Sequence, residues 1–218
     1  NRCPMDGTAS EIILDEQGTP ATPASGTLIC YPDSAASVLL QRNDAGIVQG
    51  RSMRAAIAQQ TGFAVDTYIT NSGLIIPSVS LQAGTVCIWY IVVTKTAAGT
   101  ATPIWQVRIG TAQSVADTSR LSITTATQTA AVDTGFVTII ATCRSAGVSG
   151  VLQGAVRIHH NLAATGLANT PAGFNLVEGT SAGFDNTALG GSYIGISVNG
   201  GASAAWTVNQ VIGQVLYG

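Results

Sequence analysis

Two adjacent histidines, His159 and His160, are the only imidazoles in the 218-residue chain. Imidazole is the usual first choice for a metal ligand or a general base. The pair lies in the strand-like run Val151–His160, where successive side chains point to opposite faces. The two rings therefore cannot share one metal ion while the strand stays regular. A metal site would need one imidazole and distant carboxylates, so the pair reads as structural.

The carboxylates are equally unpromising. A glycoside-cleaving pair needs two acids about 5–10 Å apart. Only three glutamates exist, Glu11, Glu16 and Glu178, and two of them precede the first strand-like run. Most aspartates stand beside Gly, Thr or Asn, as Asp44, Asp117, Asp133 and Asp185 do, which is the pattern of turn residues capping their own backbone. Asp66, between Val65 and Thr67, is the exception, since it falls in a strand pattern. No G-x-S-x-G elbow singles out a nucleophilic serine, and no glycine-rich loop of phosphate-binding spacing occurs. The four cysteines, Cys3, Cys30, Cys87 and Cys143, are too widely spaced for a C-x-x-C zinc site. Cys87 and Cys143 lie in apolar runs and read as buried free thiols. Cys3 and Cys30 are left as a possible disulfide, with each other or with another chain. No catalytic residue, metal ligand or cofactor site is expected, and the chain is not read as an enzyme.

Binding chemistry leaves three aromatic candidates. Trp206 opens the last long strand-like run and is expected to be partly exposed. Phe184 and Tyr68 join it as residues able to stack on sugars. Trp89 and Trp105 lie within strand runs and are expected in the core. Asn199-Gly200-Gly201-Ala202-Ser203 reads as a hairpin connection.

Composition narrows the partners. Charged residues make up 9% of the chain, against about 25% in ordinary domains. Nine basic against eleven acidic residues leave no cationic excess for nucleic acid. The longest apolar run, Val86 to Val93, is far short of a membrane helix. Hydrophobic residues at 46% exclude disorder.

These residues must be held by β-structure. From Gly62 onward, runs rich in β-branched and aromatic residues alternate with Gly, Asn, Asp and Ser clusters. The spacing predicts about ten strands, including 85–94, 136–144, 151–160, 193–199 and 206–216. With no helix between them, the expected fold is an all-β, jelly-roll-like antiparallel β-sandwich over 62–218. Residues 1–49 are expected to form an N-terminal attachment arm and a small β meander. The stretch 50–61, with Met53, Ala56 and Ile57 at helical spacing, is expected to be a short helical connector.

Both alternating sets of Val86–Val93 are apolar, and 136–143 and 206–212 are similarly two-sided. One face meets the sandwich core and the other also needs cover. Homo-oligomerisation is the expected cover.

Several segments resemble tailed-bacteriophage virion proteins. Thr22-Pro23-Ala24-Ser25-Gly26-Thr27 followed by Leu39-Leu40-Gln41-Arg42-Asn43-Asp44-Ala45-Gly46 is similar to the linker and β meander of phage fibres. Leu81–Thr85, Val93–Pro103, Ser181–Thr187 and Ile194–Thr207 look like the β-rich C-terminal domain of head fibres, tail fibres and capsid decorations. The resemblance implies a virion location on the particle surface and a homotrimer. It also implies docking on other phage capsid or tail proteins through the N-terminal part, with an outward-facing β domain. No site residue carries over. The alternative is a receptor-binding domain that contacts host surface glycans through an exposed aromatic platform.

Overall fold

The computed structural model describes residues 15–56, 58–171, 175–201, 203 and 205–217. They form an all-β, jelly-roll-like antiparallel sandwich, with no helix among them. The strands are β1 (Leu28–Asp33), β2 (Val38–Asn43), β3 (Val48–Ala55), β4 (Gln60–Thr61), β5 (Thr67–Tyr68), β6 (Leu74–Ile75) and β7 (Val86–Lys95). They continue as β8 (Ile104–Gly110), β9 (Thr118–Thr124), β10 (Asp133–Ser145), β11 (Val151–His160), β12 (Leu176–Thr180), β13 (Tyr193–Asn199) and β14 (Trp206–Tyr217).

The larger sheet has nine strands in the order β1-β2-β3-β14-β7-β10-β11-β12, with β4 also on β14. The smaller has five, in the order β5-β13-β8-β9, with β6 also on β13. The chain passes repeatedly between them. β7 leads to β8 and β9 of the smaller sheet, β10–β12 return to the larger, and β13 and β14 divide between the two.

The period-2 alternation of the long strands builds the core. Cys87, Trp89, Ile91 and Val93 of β7 face inward with Val137, Ile139, Ala141 and Cys143 of β10. Trp105, Val107 and Ile109 of β8 and Ile194, Ile196 and Val198 of β13 meet them from the smaller sheet. Trp89 and Trp105 are both fully buried, as expected. Trp105 packs on Trp206 with ring centroids 5.5 Å apart. Gly154 of β11 has no side chain where Leu121 of β9 presses in, so the sheets can approach closely there.

Two local expectations are corrected. The described residues of 50–61 do not form a helix. Val48–Ala55 is a strand, paired with β14 from Ile212↔Ala55 to Tyr217↔Gly50, and Gln60–Thr61 continues on the same edge. Residue 57 of the predicted helix lies outside the described residues. The isolated helix would have had about three turns, a length that is marginal in water. The twelve-residue β14 offers a whole row of backbone donors and acceptors that must be paired, and that demand outweighs weak helical propensity. Alternation also sends Arg54 toward Gly73 O and Gln113 Oε1, at 3.1 and 2.9 Å.

The stretch 199–203 is not a hairpin connection, because β13 and β14 belong to different sheets. Asn199 Oδ1 accepts a bond from Gly201 N, and Gly201 takes a φ of 101° that favours glycine.

The meander joins the sandwich rather than hanging from it. β1 and β2 extend the nine-stranded sheet through β3. The Asp33 carboxylate accepts bonds from Ala35 N, Ala36 N and Ser78 Oγ, which ties the β1–β2 turn to the segment after β6.

Candidate functional site

Several of the acids and bases make internal structural bonds. His159 and His160 point to opposite faces, as alternation requires. His159 is exposed. His160 is buried, with Nδ1 2.9 Å from Asp133 Oδ2 and Nε2 3.2 Å from Thr170 O. Asp133 Oδ2 also accepts from Leu167 N. Next to it, Lys95 is 1% exposed and donates to the carbonyls of Thr96, Thr129 and Ala131. Burial lowers the Lys95 pKa, and the Asp133 charge opposes that shift.

Asp117 caps Ala112 N and Ser114 N, Asp44 caps Gly26 N, and Asp185 caps Thr187 N. The bonds to Thr187 also hold the Asp185 carboxyl below its usual range. Asp66 is ion-paired with Arg108. Among the described residues, no three His, Cys, Asp or Glu side chains converge as a metal site would require.

The three aromatic candidates do not form a platform. Trp206, expected to be partly exposed, is 1% exposed and donates from Nε1 to Gln128 Oε1 at 2.6 Å. The reason is its position at the start of β14, on the inward set, where it packs against Trp105. Phe184 is buried beneath the Arg120 guanidinium, 4.8 Å from its ring centre. Tyr68 is buried and lies over Gly195 of β13. The three are separated by the fold and turn no ring face to solvent.

Cys87 and Cys143 are buried free thiols, and burial pushes both pKa values up. Cys30 is an exposed free thiol. Cys3 lies outside the described residues.

What the structure does expose is a face. The outward residues of five adjacent strands, β14, β7, β10, β11 and β12, form a grid fixed by strand register. One row reads Gln210, Val92, Phe136, His159. The next reads Ile212, Tyr90, Thr138, Arg157, Leu176. A third reads Gln214, Ile88, Ile140, Ala155, Glu178. The fourth reads Leu216, Val86, Thr142, Gln153, Thr180. Phe136, Ile140 and Leu216 are each 40% exposed and Leu176 is 55% exposed. Tyr90 and Phe136 stack diagonally across the strands, with centroids 5.9 Å apart.

The centre of this grid carries no charge. Arg157 and Glu178 stand toward the β12 side, and Arg144 stands past the last row at the end of β10, all exposed. A shallow trough lined by Phe136, Ile140, Ala155, Arg157 and Leu176 runs between centre and rim.

The two-sided runs of β7, β10 and β14 signalled the apolar centre in the sequence. Leu176, Arg157 and Glu178 were not legible as part of it, because they come from separate segments that only the strand register aligns.

No protein-family model matches the chain, and no curated protein matches it. Among solved structures, a legume lectin-like domain from Entamoeba histolytica is similar over 74% of this chain and 87% of that one. The identity is 11% and the TM-score 0.26, a likeness too weak to carry any functional argument.

Proposed function

We propose that this chain is a structural protein of a bacteriophage particle, a head fibre, tail fibre or capsid decoration, assembled as a homotrimer. It acts by binding and carries out no turnover. The N-terminal region attaches to a capsid or tail protein, and the β-sandwich is displayed at the particle surface. The observation that carries this reading is the outer face of the nine-stranded sheet. Isolated soluble chains rarely leave a contiguous apolar patch of more than a few hundred Å² uncovered. A folded chain with such a face is better suited to being a component than a finished object.

The scarcity of charge agrees with that role. At 9% charged residues, docking has to rest on strand pairing and apolar burial rather than on salt bridges. A glycan-stacking role for Trp206, Phe184 and Tyr68 is not part of the reading, since burial removes the ring faces such a role needs.

The test is gold labelling of intact phage particles with an antibody raised against this chain. Label on the particle surface is the expected result. Recovery of the chain only in the particle-free fraction of the lysate would overturn the proposal.

A further inference from the structure

We infer that the bare outer face of the nine-stranded sheet is the contact by which copies of this chain meet, with the β14–β7–β10 centre at the heart of that contact. This deepens the assembly reading above and rests on it for the existence of copies; the location of the contact comes from the face itself.

Area is the first ground. Five strands about 4.8 Å apart and four rows about 7 Å apart cover a patch of roughly 600 Å². Three copies closing on such a patch remove roughly 1,800 Å² from water in total, on the scale of what stable assemblies bury.

The distribution of polarity is the second ground. Ile212, Ile88, Tyr90, Val92, Phe136 and Ile140 are contiguous on the grid. Between them stand Thr and Gln, which desolvate at far lower cost than Lys or Glu. An apolar centre with a polar border is the anatomy of a specific interface.

Charge is the third ground, and it selects a second copy as the occupant. A face bearing one sign of charge repels its own copy. This face carries both signs, Arg157 and Glu178 on the β12 side of the centre and Arg144 past the last row at the end of β10. Among the described residues none of the three has an ion-pair partner, and the pairs found there are Arg108–Asp66 and His160–Asp133. Arg157 and Glu178 sit on neighbouring strands, one row apart. Their opposite charges leave the rim able to pair across copies instead of opposing the contact.

The experiment measures the mass of the whole chain in solution by light scattering, for wild type and three variants. Ile140→Glu places a charge at the centre of the face. Phe136→Thr combined with Ile140→Thr removes apolar area while keeping residues that suit a strand. Val65→Glu changes a residue that is 65% exposed and lies outside the grid. Circular dichroism reports whether each variant keeps its β-structure. The expected result is an oligomer for wild type and Val65→Glu, with folded monomers for the other two.

A monomeric wild type at the highest soluble concentration would overturn the inference. So would a double-threonine variant that folds and keeps the wild-type mass. Particle labelling separates the two proposals. Labelled particles with an unaffected double-threonine oligomer sink the contact and leave the virion role. An oligomer lost in that variant, from a chain absent from particles, does the reverse.

Discussion

The two sheets of the sandwich present outer faces of opposite character. On the five-stranded sheet the chain supplies its own cover. Arg108 of β8 lies flat on that face. Its Nε donates to Ser197 Oγ at 2.7 Å, and Nη1 donates to Val115 O at 3.0 Å and to Asp117 O. Nη2 pairs with Asp66 and also donates to Gln106 Oε1. The loop 111–117 folds back over the sheet, held by Asp117, and Tyr68 lies across Gly195. On the nine-stranded sheet nothing among the described residues crosses the grid, and its centre is apolar. One face is closed by a network of polar groups centred on Arg108. The other is left open by the described residues, and the proposed contact covers it with a second copy.

The sharpest way to break this contrast is to open the closed face. Replacing Arg108 with Leu strands Asp66, which is 25% exposed, and leaves two carbonyls and Ser197 without their donor. Removing one partner of a largely buried pair typically costs about 3–5 kcal/mol. Urea unfolding should show a loss of that size, and oligomer mass should not change below the transition. A midpoint like that of wild type would mean that the arginine network is not what holds the five-stranded face.

Nearly as large is an alkaline effect at the same face. Burial raises the Tyr68 pKa to about 12, against a smaller lowering by the Ser72 hydroxyl. The folded state therefore keeps this proton where the unfolded chain, with a tyrosine pKa near 10, has released it. The stabilisation is complete below pH 10 and is lost as pH rises from 10 through 12. A two-unit shift corresponds to about 3 kcal/mol. About 2 kcal/mol of this should be lost between unfolding measurements at pH 9 and at pH 11.5. Tyr68→Phe should reduce the difference without abolishing it, because burial also raises the pKa values of Tyr31 and Tyr217. An equal loss in wild type and Tyr68→Phe would place the alkaline sensitivity elsewhere.

The contrast between the faces was only half legible in the sequence. The open face could be read because it is written in contiguous runs. Val86–Val93 is apolar on both alternating sets, and so, less fully, are 136–143 and 206–212. The buried lysine was available from the same pattern, since Lys95 falls on the set of Cys87, Trp89, Ile91 and Val93, but a cation is not readily assigned to a core position. The closed face could not be read. Its parts, Asp66, Tyr68, Arg108, Ser197 and the loop 111–117, are far apart in the chain and meet only through β13 pairing with both β5 and β8. Trp206 went wrong for a related reason. A residue at the start of a strand has no alternating neighbour before it to fix its face, and Gln128, which accepts its indole N–H, comes from a loop 78 residues away. The expected helix at 50–61 failed because local spacing carries no knowledge of the unpaired edge of β14.

A smaller effect probes how tightly the closed face is fitted. A Cβ at Gly195 would overlap the Tyr68 hydroxyl, so Gly195→Ala forces the ring off the sheet. Overpacking of this kind costs about 1–3 kcal/mol. Tyr68 fluorescence is masked by three tryptophans, so thermal unfolding followed by circular dichroism is the better readout. Because Gly195 lies on the opposite sheet from the grid, oligomer mass should match wild type. A lowered mass would mean that the two faces are coupled through the core.

The smallest expected effect is the most informative about the open face. Ile140→Thr keeps a β-branched residue at a position already 40% exposed, next to threonines at 138 and 142 that occupy the same face. Strand preferences of this kind span about 1 kcal/mol, so unfolding of dilute, dissociated chains should shift by less than that. The difference should appear as concentration rises. Association that exists only for the folded state adds to stability by mass action, so wild type should melt at a higher temperature when concentrated. The variant should gain less, because its contact is weaker. A residue that helped only the fold would show the same deficit at every concentration. A deficit that grows with concentration is the signature of a side chain whose burial is completed by another copy.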